Sequence, residues 1–329
     1  IYKISLMLYP LKFKPILKQT IWGGDKLAYK SNDPKVKESI GESWEISGVQ
    51  DNISVVSEGA LEGNSLQELT EIYMGDLVGD KIYEKFGIEF PLLIKYIDAR
   101  DNLSIQVHPD DATAKARHNA YGKTEMWYIL DCEPDSFLYF GVNKEITKEE
   151  FERRIQDNTL LDVLKAVPVH KGDVFFIKSG TIHAIGAGIQ ICEIQQNSNT
   201  TYRVYDFGRV GKDGKPRELH IQKAIDVSNL SPIESDFKPC GPEEKNGDCD
   251  TVRLATCEYF TTYESTLNGT TTLHVDDESF GSILLIEGNA TIENDGTTLE
   301  VNKGDSVFID ANSGDVKITG NCQWIYSRV

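Results

Sequence analysis

Hydrophobic positions recur along most of this chain in short runs rather than in long helical stripes. Two stretches are exceptions. Residues 65–86 (SLQELTEIYMGDLVGDKIYEKF) carry apolar side chains at helical spacing, and Ser65 precedes Glu68 as in a capping box. Residues 147–166 (TKEEFERRIQDNTLLDVLKA) repeat the idea, with Thr147 before Glu150 and an apolar set of Phe151, Ile155, Leu160, Leu161 and Leu164. The other apolar runs, at 90–97, 126–130, 137–140, 174–177, 189–194, 282–287, 290–293 and 306–309, are β-prone and bounded by Gly, Asp and Asn. Short strands at close spacing predict a mainly β protein of sandwich or barrel type.

A repeat sharpens that expectation. Residues 169–177 read VHKGDVFFI and residues 301–309 read VNKGDSVFI, so six of nine positions match at an offset of 132. Duplication of a β-barrel unit explains matches held in register. The segment 231–250 (SPIESDFKPCGPEEKNGDCD), with three prolines and many charges, is the natural linker. Two domains follow: 1–230, with N-terminal strands and a small helical insertion, and 231–329.

Composition narrows the function classes. The 329 residues hold 34 basic and 52 acidic side chains, a net charge of −18. Such a chain repels nucleic acid and anionic membrane at long range, so neither is expected as a partner. The charge is uneven: residues 1–230 carry 34 acidic and 28 basic groups, net −6, and residues 231–329 carry 18 and 6, net −12. The six cysteines include no Cys-x-x-Cys pair, which fits free thiols in a reducing compartment. No leader peptide and no run of about 18 apolar residues is readable. A cytoplasmic protein is expected.

Three segments carry candidate chemistry. In SIQVHPDD (104–111), strand alternation points Gln106 and His108 the same way. GKTEMWY (122–128) sets Glu125 at the start of a strand, and GDVFFIKSGTIHAIG (172–186) turns at Gly180 just before His183. Two neutral imidazoles, a carboxylate and an amide oxygen could converge on one divalent cation, with zinc, iron, manganese, cobalt and nickel all compatible. The repeat supplies an internal control. Position 183 plus 132 is Asp315, Gly180 maps to Asn312, and no histidine follows His274. A histidine demanded by the fold alone would have been kept in both copies, so His183 reads as chemical.

These blocks follow the two halves of the cupin metal motif, with Lys178 where proline is usual. With YPLKFKP, IWGG, GESWEISG, PLLIKYIDARDNLSIQVHPDD, GKTEMWYIL and GTIHAIGAGIQICEIQQNSNTTYRVYDFGR, the sequence resembles the type I mannose-6-phosphate isomerases (phosphomannose isomerases), in particular their short bacterial branch. The resemblance implies two cupin-type jelly-roll barrels, the second degenerate. It implies one Zn²⁺ per chain held by Gln106, His108, Glu125 and His183, and interconversion of mannose 6-phosphate and fructose 6-phosphate through a cis-enediol. Arg203, Glu193 and Lys123 are then the candidate catalytic residues. Ser104, Lys123, Arg209 and Trp22 are candidates for substrate binding, with Lys95 as pocket lining or support. The partner implied is a small sugar phosphate, the chain itself being a monomer or homodimer. Another cupin metalloenzyme, such as a non-haem Fe(II) oxygenase, and a non-catalytic sugar-phosphate binder are the competing readings.

Overall fold

The computed structural model describes residues 8–33, 36, 38–211 and 213–329. Strands hold 43% of the chain and helices 16%, as the short alternating runs predict. Two compact units form, each assembled from separated stretches of sequence.

One unit comprises Pro15–Trp44 and Leu92–Lys238. Its larger sheet has six strands in the order Ile16–Gly24, Ile40–Ser47, Leu92–Ala99, Ile189–Gln196, Glu125–Cys132 and Val174–Ile177. A five-stranded sheet runs Tyr202–Tyr205, Ile105–Val107, His183–Ala184, Phe137–Val142 and Leu164–Pro168. Side chains from both sheets share one core, where Ile97, Trp127, Ile191 and Phe175 of the larger sheet meet Leu138 and Phe140 of the smaller. The unit is therefore a sandwich of antiparallel sheets. Leu92–Ala99 is buried along its whole length.

The other unit comprises Ile1–Lys14, of which residues 8–14 are described, with Glu45–Pro91 and Pro239–Val329. Its antiparallel sheet runs Glu243–Asn246, Cys249–Thr256, Thr261–Val275, Gly314–Arg328, Gly281–Asn294 and Thr297–Asn302, and Ser306–Ile309 pairs with Gly281–Asn294. Phe90, Phe280 and Phe308 pack ring on ring with centroids 4.7–6.0 Å apart.

The mainly β expectation holds, but among the described residues no sheet closes into a barrel. Edge strands such as Val174–Ile177 and Leu164–Pro168 pair on one side only. All six cysteines are free thiols, and no described helix is long and apolar enough to cross a membrane.

The two copies of the repeat fold alike. Gly172 and Gly304 take φ of +91° and +92°, a left-handed turn that glycine adopts without steric cost. The amide of His170 donates to the Asp173 carboxylate and that of Asn302 to the Asp305 carboxylate, at 2.7 and 3.0 Å. Gly172 N–H then reaches the carbonyl of Ile129, as Gly304 N–H reaches that of Leu285. Identical turn chemistry starts the same kind of short strand twice.

Candidate metal centre

Strand register lays out the site. Across the smaller sheet Arg203, Gln106, His183 and Phe140 stand directly opposite one another on four neighbouring strands. Cross-strand partners project to one face, so these side chains form a row. In the larger sheet Lys95, Glu193, Trp127 and Phe175 make one row, and Gln195 and Glu125 lie in the next, two residues along. The shared interior between the sheets thus receives Arg203, Gln106 and His183 from one side and Lys95, Glu193 and Glu125 from the other.

Local sequence delivers the ligand atoms. The strand Ile105–Val107 stops before Pro109, and Asp110 caps the following helix by accepting from Thr113 N at 2.8 Å. Asp111 then accepts from Gly122 N and Gln196 Nε2, while Gln196 Oε1 accepts from Thr124 N at 2.8 Å. The GKTE segment is held beside the HPDD segment in this way. Gly180, at φ +86°, forms the turn before His183, and its N–H donates to the His108 carbonyl at 2.8 Å.

His108, Glu125 and His183 are fully buried, and one ligand atom from each lies within 4.8 Å of the others. His108 Nδ1 faces the Thr200 carbonyl at 3.0 Å and His183 Nδ1 faces that of Thr181 at 2.8 Å. A carbonyl only accepts, so both Nδ1 atoms carry the proton and both Nε2 atoms present lone pairs. Those lone pairs point at Glu125, with Nε2–carboxylate distances of 3.6 Å from His108 and 3.3 Å from His183. Glu125 Oε1 is buried and has no hydrogen-bond donor among the described residues. His183 Nε2 and Glu125 Oε1 are thus two acceptors 3.3 Å apart, and such a pair repels unless a cation lies between them. The donor set therefore fits a divalent metal, with the Gln106 amide, 3.4 Å from His183 Nε2, as a fourth ligand once its oxygen is turned inward.

Charge is arranged around this cluster. Burial, then the Lys123 ammonium, push the His108 imidazole down to about 3, and burial lowers His183 as well, so both remain neutral ligands. Burial works against ionisation of Glu125, yet the Lys123 ammonium against it holds its carboxyl well below the usual range. Lys123 contacts Glu125, His108 Nε2 at 3.1 Å and Glu193 at 3.3 Å. Glu193 sits between Lys123 and Lys95, the latter also at 3.3 Å and itself bonded to Glu42. Burial, with Glu125 nearby, raises the Glu193 carboxyl despite the two lysines.

A cavity of about 300 Å³ opens onto this array. Trp22, Ser104, Gln106, Lys123, Glu193 and Arg203 line it, as do Lys95, Glu42 and Arg217. Arg203 Nε donates to Ser104 Oγ at 3.1 Å and Nη1 to the Glu218 carbonyl at 3.0 Å. Burial, then the neighbouring Arg217, lower the Arg203 guanidinium from its ordinary value. Arg209 is not part of the lining; it is bonded to Asp206 at 2.5 Å and to the Asn102 carbonyl. Arg217 and Glu42 are residues that the motif reading did not single out. Glu42 had a signal in the GESWEISG block, whereas Arg217, in a charged loop, had none.

A buried His–Glu–His cluster able to hold a metal between antiparallel sheets, beside a basic polar cavity, is the kind of site found in metal-dependent enzymes of the cupin class. Residues 10–133 match the model "Phosphomannose isomerase type I, catalytic domain", and residues 250–329 match "Mannose-6-phosphate isomerase, cupin domain". The mannose-6-phosphate isomerase ManA of Bacillus subtilis is 38% identical over 97% of this chain and 99% of its own. The mannose-6-phosphate isomerase of Streptococcus mutans is 37% identical over 80% of each. A crystal structure of the Bacillus subtilis mannose 6-phosphate isomerase covers 98% of this chain and 100% of that one, with a TM-score of 0.88 at 32% identity. The chain belongs to the type I mannose-6-phosphate isomerase family.

Proposed function

We propose that this chain interconverts mannose 6-phosphate and fructose 6-phosphate, with one Zn²⁺ per chain held by Gln106, His108, Glu125 and His183. The observation that carries the reading is a polar cavity lined by Gln106, Lys123, Glu193, Arg203 and Arg217, of which Gln106 and Lys123 reach the buried cluster of His108, Glu125 and His183 beside it. A bound divalent cation supplies Lewis acidity toward the oxygens on C1 and C2 of the sugar. Glu193 removes the proton from C2 of the open-chain aldose and returns it to C1, while a proton passes from O2 to O1 through the cis-enediol. A carboxyl raised by burial suits both halves of that exchange. Arg203 stays protonated and stabilises the developing enediolate oxygens. Lys123 and Ser104 orient hydroxyls, Trp22 walls the sugar, and Arg217 meets the 6-phosphate with Arg209 behind it on their shared Asp206.

The same reading puts the chemistry in 1–230 and leaves 231–329 as a degenerate cupin-type jelly-roll unit without ligands. It makes the protein a cytoplasmic monomer or homodimer. The test is fructose 6-phosphate formation from mannose 6-phosphate under anaerobic conditions, with and without chelator. Turnover that is lost in chelator and restored by Zn²⁺ is expected. Absence of turnover in the metal-replete protein overturns the reading, and a requirement for O₂ would favour the oxygenase alternative.

A further inference from the structure

Arg203 lies on Tyr202–Tyr205, the edge strand of the five-stranded sheet. Gln106 stands opposite it on the inner side, and no strand pairs with it on the outer side among the described residues. In an antiparallel strand the N–H and carbonyl of one residue point toward the same side, so an edge residue can leave both without a ladder partner. Here one residue meets both. His220 N donates to the Arg203 carbonyl at 2.7 Å, and Arg203 N donates to His220 Nδ1 at 3.2 Å. A histidine thus completes the rung that a neighbouring strand would supply.

The same short segment holds the Arg203 side chain. Nη1 donates to the Glu218 carbonyl at 3.0 Å, two residues before His220, and Nε donates to Ser104 Oγ at 3.1 Å. An Nδ1 that accepts from an amide carries no proton, so the neutral ring keeps its proton on Nε2, which faces the Glu218 carboxylate at 3.7 Å. The ring lies beside Tyr202, with centroids 6.3 Å apart, and the Tyr202 hydroxyl meets His118 Nε2 at 2.8 Å. Burial lowers the His220 imidazole below its ordinary value; Glu218 opposes this, and Arg203, Lys223 and His118 add to it. The ring is therefore neutral near neutral pH. A proton taken up at acid pH turns the acceptor that faces Arg203 N–H into a donor.

We propose that His220 is a positioning residue for the reaction, fixing Arg203 through its main chain while Nδ1 is free of a proton. The inference rests on the role given to Arg203 under the isomerase reading and extends it. His220 is outside the lining of the substrate cavity, so it acts through Arg203 and not on the sugar. By holding both main-chain groups of Arg203 it leaves the guanidinium where Ser104 and Glu218 fix its direction. Once Nδ1 is protonated, two N–H groups face each other and the rung opens, and the guanidinium loses its aim at the enediolate oxygens. Lost aim removes transition-state stabilisation rather than ground-state binding, so kcat falls and KM changes little.

Two variants and one resonance test this. His220→Ala is expected to lower kcat about 3- to 10-fold near neutral pH, the worth of one neutral hydrogen bond, with KM nearly unchanged. His220→Asn sets an amide Oδ1 where Nδ1 stands, an acceptor that takes up no proton, and is expected to recover most of that loss. The ratio of kcat in His220→Asn to kcat in the parent cancels every titration the two share, Glu193 and the metal ligands included. It is expected to rise about 3- to 10-fold from about pH 8 to about pH 5. In protein labelled with ¹⁵N-arginine, the Arg203 amide is the signal missing from Arg203→Lys. It should shift as His220 titrates in the parent and stay still in His220→Asn. An Arg203 amide indifferent to that titration overturns the proposal, as does a kcat ratio that is flat with pH. The amide is read without substrate, so a parent whose amide titrates as expected but which shows no turnover would sink the isomerase reading and leave the link between His220 and Arg203 standing.

Discussion

Asp206 is the residue on which the basic end of the substrate cavity depends. It is 7% exposed and accepts from Arg217 at 2.6 and 2.8 Å and from Arg209 at 2.5 Å. Burial opposes its ionisation, but the two guanidiniums hold its carboxyl below the ordinary range. Arg217 reaches the cavity because this carboxylate fixes its planar fork. Asp206→Asn keeps the shape and removes the charge, so Arg217 loses its aim. If Arg217 meets the phosphate as proposed, away from the reacting carbons, KM for mannose 6-phosphate should rise about tenfold with kcat nearly unchanged. Steady-state kinetics checks this, and a matching loss in kcat would instead place Arg217 in the chemistry. Residues of this kind explain the limits of the sequence reading. His108, Glu125 and His183 were legible because each sits in a short motif whose neighbours, such as Asp110 and Gly180, build the local turn. Arg217 was not, because its place is set by Asp206 on a neighbouring segment rather than by its own loop.

The elements show the same division. Ser65 does cap a helix, with its hydroxyl accepting from Glu68 N and the Glu68 carboxylate accepting from Ser65 N. The stretch expected as one pattern nevertheless breaks into Leu66–Tyr73, Gly75–Val78 and Asp80–Phe86. Met74 at φ +52° and Gly79 at φ +100° interrupt it, and apolar periodicity alone does not register such breaks. The second pattern likewise gives helix Lys148–Gln156, then a short turn and the strand Leu164–Pro168, after Asn158 takes φ +55°. Thr261–Val275 escaped notice because it is rich in threonine and polar on one face, and the runs at 282–287 and 290–293 merge into one strand through Gly288. The turn at Gly180 is where element geometry governs the metal centre. An added Cβ there would lie 2.9 Å from the Val227 carbonyl oxygen, at a φ of +86°. Gly180→Ala should cost about 1–3 kcal/mol of stability and displace the turn that carries His183. Thermal melts with and without Zn²⁺ check both parts: the melting point falls, and the increment given by metal shrinks. An unchanged metal increment would mean that His183 is positioned independently of this turn.

At the scale of the whole molecule, a net charge of −18 suggests an acidic protein hostile to a sugar phosphate. That number averages over distances that salt screens within about 8 Å at physiological ionic strength. Of the total, −12 belongs to residues 231–329, where no metal ligand occurs. The charged side chains that line the cavity are Lys95, Lys123, Arg203 and Arg217 against Glu42 and Glu193, a local excess of two positive charges, all within the same unit. A divalent cation held at the adjacent cluster, less the Glu125 carboxylate, adds about one more, against a phosphate monoester of about −2 at neutral pH. The two scales predict opposite responses to salt. If the overall charge governed capture, screening would remove repulsion, and KM for mannose 6-phosphate would fall as salt is added. If the local balance governs, screening weakens attraction, and KM should rise about two- to fivefold between roughly 20 and 200 mM salt. The second outcome is expected, because the cavity groups lie within a screening length of the substrate and the rest of the charge is spread over the surface of a 329-residue protein. Kinetics of the metal-replete enzyme at several chloride concentrations decide the sign, and a KM that falls with salt would mean that long-range repulsion sets the rate of capture.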